Sequence, residues 1–164
     1  MDDVNFEMLY REHRNSVYRY ARILTGSPDA GEDITQECFL ALARGNFEPG
    51  RGEARAYLFG AARRLACRRF RKLEREVELE EMTVSPVHSD LPRAVGEAVA
   101  ALPPMQREAV LLFTWEGFTL EEIAGMTGVD TGTIKSRLAR GRETLRRTLA
   151  AYRSYVGGLN GTVA

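Results

Sequence analysis

A chain of 164 residues with 44% hydrophobic and 28% charged side chains has the makings of one ordinary soluble domain or two small ones, and its composition excludes a disordered polyelectrolyte. Its 23 Lys/Arg and 23 Asp/Glu cancel, so no global field advertises nucleic acid, but the charge is unevenly spread: acids gather in residues 73–100 and both flanks are basic. Cys38, Cys67, His13 and His88 have neither metal-ligand nor CxxC spacing, so reduced thiols are expected, with no metal and no cofactor.

The N-terminus, MDDVNFEM, lacks the basic-then-apolar order of a signal peptide. No apolar run approaches the roughly 18 residues needed to cross a bilayer, so a cytoplasmic protein without membrane insertion is expected. Nearly every segment then reads as helix. Phe6, Leu9, Tyr10, His13, Val17, Tyr20, Ala21 and Leu24 fall on one stripe of a first helix, which Gly26 stops. Ser27 and Pro28 supply the N-cap and first-turn proline of a second helix over about 28–43, with Ile34, Cys38, Ala41 and Leu42 inward and Asp29, Glu32 and Asp33 favoured by the dipole of its opening turns. Three glycines and a proline make 44–53 a loop. The helix over about 54–75 has two apolar edges, one with Ala54, Leu58, Ala61 and Leu65 and the other with Phe59, Ala66 and Phe70, as expected of a helix wedged between neighbours.

Residues 76–92 turn acidic and then rich in Ser, Pro and Thr, the composition of a flexible linker. A short apolar helix follows and ends at Pro103–Pro104. Pro104 opens another, to about Trp115, closed by Gly117. The fold class predicted is all-α. It comprises two small helical domains, 1–75 and 93–150, joined by the linker 76–92 and followed by a glycine-rich tail, 151–164, whose end, GGLNGTVA, is expected to lack order. There is no β-alternation and no internal repeat.

The stretch EEIAGMTGVDTGTIKSRLARGR (121–142) carries the sharpest functional signal. Thr119 caps a helix that turns Leu120, Ile123 and Ala124 inward. Gly128 allows a tight bend, Val129 plugs the angle between the helices, and Asp130 caps the next helix. On that helix Ile134, Leu138, Gly141, Leu145 and Leu149 form a narrow apolar stripe, while Thr133, Ser136, Arg137, Arg140 and Arg147 occupy the broad opposite face. Lys135, Arg142 and Arg146 lie on one flank. This is a helix-turn-helix pattern: a major groove admits one helix, its phosphate walls demand Lys and Arg, and its floor is read by side chains near the helix N-terminus. Thr131, Thr133, Lys135, Ser136 and Arg137 are the candidate readers, with Arg140 and Arg142 as supporting cations. The blander alternative is a solvated basic face on a bundle helix.

A second basic surface lies in RRLACRRFRK (63–72), with six basic residues in ten. Arg64, Arg68, Arg71 and Arg75 share a stripe with Tyr57; Arg63 and Lys72 flank it, and the loop carrying Phe47 joins the start of the helix. Arginines for phosphates beside an aromatic ring for a base suit a single strand whose bases have left the stack. A solvated helix face with a half-buried tyrosine is the other reading.

The chain resembles the extracytoplasmic-function (ECF) class of the sigma-70 family of bacterial transcription initiation factors, from about residue 5 to residue 148. FEMLYREHRNSVYRYARILTGSPDAGEDITQECFLALAR is similar to the opening of region 2, and ARAYLFGAARRLACRRFRK to the helix that recognises the −10 element. LPPMQREAVLLFTWEGFTLEEIAGMTGVDTGTIKSRLARGRETLRR resembles region 4, which reads the −35 element. The resemblance implies a promoter-specificity subunit, not an enzyme, with bacterial core RNA polymerase and promoter DNA as partners and an anti-sigma factor as regulator. It places Asp33, Gln36, Glu37, Phe39 and Leu40 against the clamp helices of the polymerase's largest subunit. Phe47, Tyr57, Arg63, Arg64, Arg68, Arg71 and Lys72 would lie on the −10 strand, Thr131, Thr133, Lys135, Ser136, Arg137, Arg140 and Arg142 on the −35 duplex, and the second domain on the polymerase flap. Tyr57, Arg64 and Arg68 depart from the Trp, Asn and Asp that the family often has there, which makes this helix more cationic. A sigma-mimicking adaptor and a stand-alone helix-turn-helix regulator are the competing readings.

Overall fold

The computed structural model describes the backbone of residues 3–45, 54–76 and 93–159, and side chains over 5–45, 54–69 and 93–151. The loop with Phe47, the side chains of Arg71, Lys72 and Arg75, and most of the linker and tail lie outside the described residues. The chain divides into two compact units, Met1–Ser85 and Pro86–Ala164. Among the described residues the secondary structure is helical throughout.

The first unit packs α1 (Asp3–Thr25), α2 (Pro28–Ala43) and α3 (Ala54–Glu76). Gly26 ends α1 at φ 72°, and its N–H donates to the Arg22 carbonyl at 2.8 Å. Ser27 then caps α2, its hydroxyl accepting the Ala30 N–H at 3.2 Å, ahead of the expected proline. The two helices cross tightly at Gly31, where a Cβ would stand 3.1 Å from the Cβ of Arg22 and 3.2 Å from its backbone. The core gathers Val17, Tyr20, Ile23, Ile34, Cys38, Leu42, Leu58, Phe59 and Ala62, all at or below 1% exposure. Each large apolar side chain so buried contributes roughly 1.5–3 kcal/mol. Tyr20 and Phe59 pack ring to ring, centroids 5.1 Å apart, at the middle of the bundle. Leu58 and Ala61 on one apolar edge of α3 and Phe59 and Ala66 on the other are buried, as a wedged helix requires.

The second unit comprises α4 (Arg93–Ala100), α5 (Pro104–Val110), α6 (Leu120–Thr127) and α7 (Thr131–Leu159). The helix expected from Pro104 to Trp115 changes register: α5 is α-helical to Val110, and Leu111–Trp115 form a π turn. The Glu116 N–H reaches back five residues to the Leu111 carbonyl at 3.0 Å, and Phe118 reaches Leu112 at 2.9 Å, which seats Phe118 in the core. Buried Arg107 ties α5 to the end of α4, donating through Nη2 to the Leu102 carbonyl at 3.0 Å; burial lowers its pKa. The last helix runs to Leu159, through Gly157 and Gly158 and so into the tail expected to lack order.

Candidate nucleic-acid interface

Local chemistry builds the helix-turn-helix. Thr119 and Glu122 form a reciprocal capping box: the Glu122 N–H donates to the Thr119 hydroxyl at 3.1 Å and the Thr119 N–H to Glu122 Oε1 at 3.2 Å. Gly128 takes the left-handed conformation at φ 70°, its N–H on the Ala124 carbonyl at 2.9 Å, and so turns the chain within three residues. Asp130 then caps α7. Its Oδ1 accepts the Thr133 N–H at 2.7 Å and its Oδ2 the Thr133 hydroxyl at 3.1 Å. These bonds, with the Arg137 charge in support, hold its carboxyl below the usual carboxylate range.

The angle of α7 is set further along. Ile134, Leu138, Gly141 and Leu145 are buried, as the apolar stripe predicted, and Leu149 is half-buried. A Cβ on Gly141 would fall 2.8 Å from Val110 Cγ2 and 3.4 Å from the Gln106 carbonyl oxygen, so glycine lets α7 lie directly on α5.

This crossing opens a groove of about 800 Å³ between the start of α5 and the first turns of α7. Of the predicted readers, Thr133, Ser136, Arg137 and Arg140 line it together. Thr131 and Lys135 are exposed beside it, and the Thr133 hydroxyl is engaged in the cap. Arg142 belongs elsewhere. Its guanidinium sits 5.1 Å from the centroid of Phe113, and it lines a separate groove of about 780 Å³ with Val110, Trp115, Leu145 and Leu149. It does not share the groove of Arg137: a residue five positions further on points to another side of a 3.6-residue helix. Sequence reasoning missed the turn from Pro103 to Gln106, which supplies the opposite wall of this groove; Met105, 60% exposed there, is an apolar side chain that helical periodicity gave no reason to single out.

In the first unit the surfaces assigned to polymerase and to single-stranded DNA meet. A groove of about 520 Å³ between α2 and α3 is lined by Glu37 and Leu40 from the first set and by Tyr57, Arg64 and Arg68 from the second. Arg44, which sequence reasoning did not select, joins them from the C-cap of α2. Arg63 is half-buried and is not among the residues lining the groove. Cys38 forms part of the lining; burial pushes its thiol up to about 12, Glu37 adds to the rise and Arg64 opposes it, so both charges bear on one point. Asp33 and Gln36 are exposed on α2, and Asp33 pairs with Arg69 of α3 at 3.2 Å.

Phe39 does not share the exposed face of Asp33, Gln36, Glu37 and Leu40. It is 4% exposed, with its ring edge-on to Tyr10 at 5.0 Å and to Phe6 at 6.3 Å. The i, i+4 relation to Thr35, itself buried, turns it into the bundle, while Leu40 one residue on is 51% exposed. Among the described residues there is no cluster of three or more His, Cys, Asp or Glu that could hold a metal, and no helix long and apolar enough to cross a membrane.

The Sigma-70 region 2 profile matches residues 9–76, and that of Sigma-70, region 4 matches 93–145. The ECF RNA polymerase sigma factor EcfG of Rhodopseudomonas palustris is 35% identical, the alignment covering 82% of this chain and 79% of that one. SigE of Mycolicibacterium smegmatis, also an ECF RNA polymerase sigma factor, is 34% identical over 92% of this chain and 63% of its own length, so this chain spans less than two thirds of that relative. Among solved structures, the sigma factor RpoE in complex with the anti-sigma factor NepR, from Bartonella quintana, superposes with a TM-score of 0.74 at 29% identity, covering 89% of this chain and 97% of that one.

Proposed function

The chain belongs to the sigma-70 family, in its ECF class, and from that premise we propose that it confers promoter recognition on bacterial core RNA polymerase by binding alone, without an active site, in the cytoplasm. The observation that carries this reading is the reading groove of the second unit, where Ser136, Arg137 and Arg140 stand together at the N-terminal end of a rigidly capped helix. Such a helix enters a −35 major groove, with arginine taking phosphate oxygens or the O6/N7 edge of guanine. The apolar groove carrying Trp115 and Leu149 is assigned to the polymerase flap.

In the first unit, Tyr57, Arg64 and Arg68 are assigned to the opened −10 strand, and Asp33, Gln36 and Leu40 to the clamp helices. No chemical step is needed: strand opening draws on the binding energy of unstacked bases and phosphates. An anti-sigma factor that covers these faces would keep the protein from polymerase, as the RpoE complex with NepR suggests.

The test is a binding experiment with purified core polymerase. Asp33→Ala lowers affinity for the core and leaves binding of the full chain to −35 duplex unchanged. Equal core affinity for the two proteins would remove Asp33 from the interface.

A further inference from the structure

Two consecutive acids on α2 reach in opposite directions. Glu32 meets Arg14 of α1 at 3.6 Å, and Asp33 Oδ2 accepts Arg69 Nη2 of α3 at 3.2 Å. The first pair braces the bundle, since neither member belongs to a face assigned to polymerase or DNA. The second joins two such faces. Asp33 lies in the row assigned to the polymerase clamp, and Arg69 follows Arg68 on the helix assigned to the opened strand. Arg69 falls off the stripe that gathers Arg64, Arg68 and Arg71, so the helical period alone gives it no role.

The pair of Asp33 with Arg69 is built to be exchanged. Its side chains are 61% and 39% exposed, so water and salt screen the attraction and little is lost when another ion replaces one member. Its neighbours on α3 give the contrast: among the described residues Arg64 and Arg68 hold no ion pair and stay open to phosphate. An arginine already paired to a carboxylate must give up that partner before it takes a phosphate oxygen, so it adds less to strand binding. Asp33 is under the same constraint, because the carboxylate it offers to polymerase is partly cancelled by Arg69.

We propose that Arg69 is a further strand-binding residue whose availability is set by polymerase through Asp33. In the free chain the two charges cancel; when polymerase takes Asp33, the released Arg69 joins Arg64 and Arg68 on the phosphates of the opened strand. Polymerase and strand therefore bind with positive coupling through one ion pair. The coupling is reciprocal: whatever polymerase adds to strand affinity, the strand adds to polymerase affinity. The assignment rests on the promoter-binding reading above and deepens it, and it keeps Asp33 on the polymerase-facing side of α2.

A labelled oligothymidine is titrated by fluorescence anisotropy with the full chain and its variants, and each chain is titrated separately with core polymerase. Free Asp33→Ala binds the oligothymidine about threefold more tightly than the unmutated chain, the scale of one exposed ion pair. Its log affinity also falls more steeply with log salt, by about 0.7, as one further phosphate contact requires. Made in an Arg69→Ala background, Asp33→Ala changes neither affinity nor slope. Toward core polymerase Arg69→Ala binds about threefold more tightly, since Asp33 is no longer shared, while Arg69→Lys keeps the charge and behaves as the unmutated chain in both assays. Asp33→Asn repeats the strand measurement with a side chain of the same shape. A gain from Asp33→Ala that survives Arg69→Ala is general repulsion by the acid and overturns the proposal. Unchanged strand affinity in both Asp33 variants overturns it too, as does weaker core binding by Arg69→Ala with an unaltered circular dichroism spectrum. These outcomes leave the promoter reading standing if the unmutated chain binds core polymerase; its failure to bind overturns the function beneath.

Discussion

The two units expose cationic helices in opposite ways. In the second, every device around the reading groove fixes a helix and leaves its arginines open: a capping box on α6, a left-handed glycine at the turn, an aspartate cap on α7 and a glycine crossing over α5. In the first, the arginines of α3 face acids on α2, with Arg69 held by Asp33 and with Arg64 and Arg68 sharing a groove with Glu37. Duplex DNA has a fixed groove, and a rigid helix meets it without reorganisation. A single strand has no fixed shape for a rigid helix to meet.

The sharpest way to break this contrast is to spoil the rigidity of the second unit. Gly141→Val forces branched carbons into the space of Val110 Cγ2 and should destabilise that unit by about 3 kcal/mol, read by denaturant unfolding monitored by circular dichroism. An unchanged midpoint would mean that α7 does not depend on the crossing. The next effect separates two arginines of one helix. Arg137→Ala should weaken −35 duplex binding by about 2 kcal/mol, while Arg142→Ala should leave it within about 0.5 kcal/mol and instead loosen the contact with Phe113. Equal losses would keep Arg142 in the reading set.

The smallest effect is a pH dependence. The Asp130 carboxyl titrates lower in the fold than in the unfolded chain, so its contribution is complete above the usual carboxylate range and is lost as the pH falls through the lower, folded value. The stability difference between the unmutated protein and Asp130→Ala should therefore be flat near neutrality and shrink in acid. A difference that grows in acid would contradict the cap.

The second unit was the more legible because its signals are local. Thr119, Gly128 and Asp130 act within a few residues of themselves, and the stripe from Ile134 to Leu145 follows from the helical period. The groove between α2 and α3 was not legible, since Glu37, Arg44 and Tyr57 share it only through the pairing of two helices separated by a loop. Phe39, set with the polymerase-facing residues by the family resemblance alone, packs edge-on against Tyr10 and Phe6 of α1, a contact between helices that the sequence of α2 does not disclose. The π turn at Leu111–Trp115 left no pattern to read, because its apolar run serves an α-helix equally well.

The central claim is that both cationic surfaces serve one promoter in partnership with polymerase. Run-off transcription by purified core RNA polymerase on a library of genomic fragments, with and without this chain, tests it most directly. The account predicts discrete transcripts that appear only when the chain is added and that fade when either Arg137 or the Arg64–Arg68 pair is replaced by alanine. Transcripts that are identical with and without the chain would contradict it.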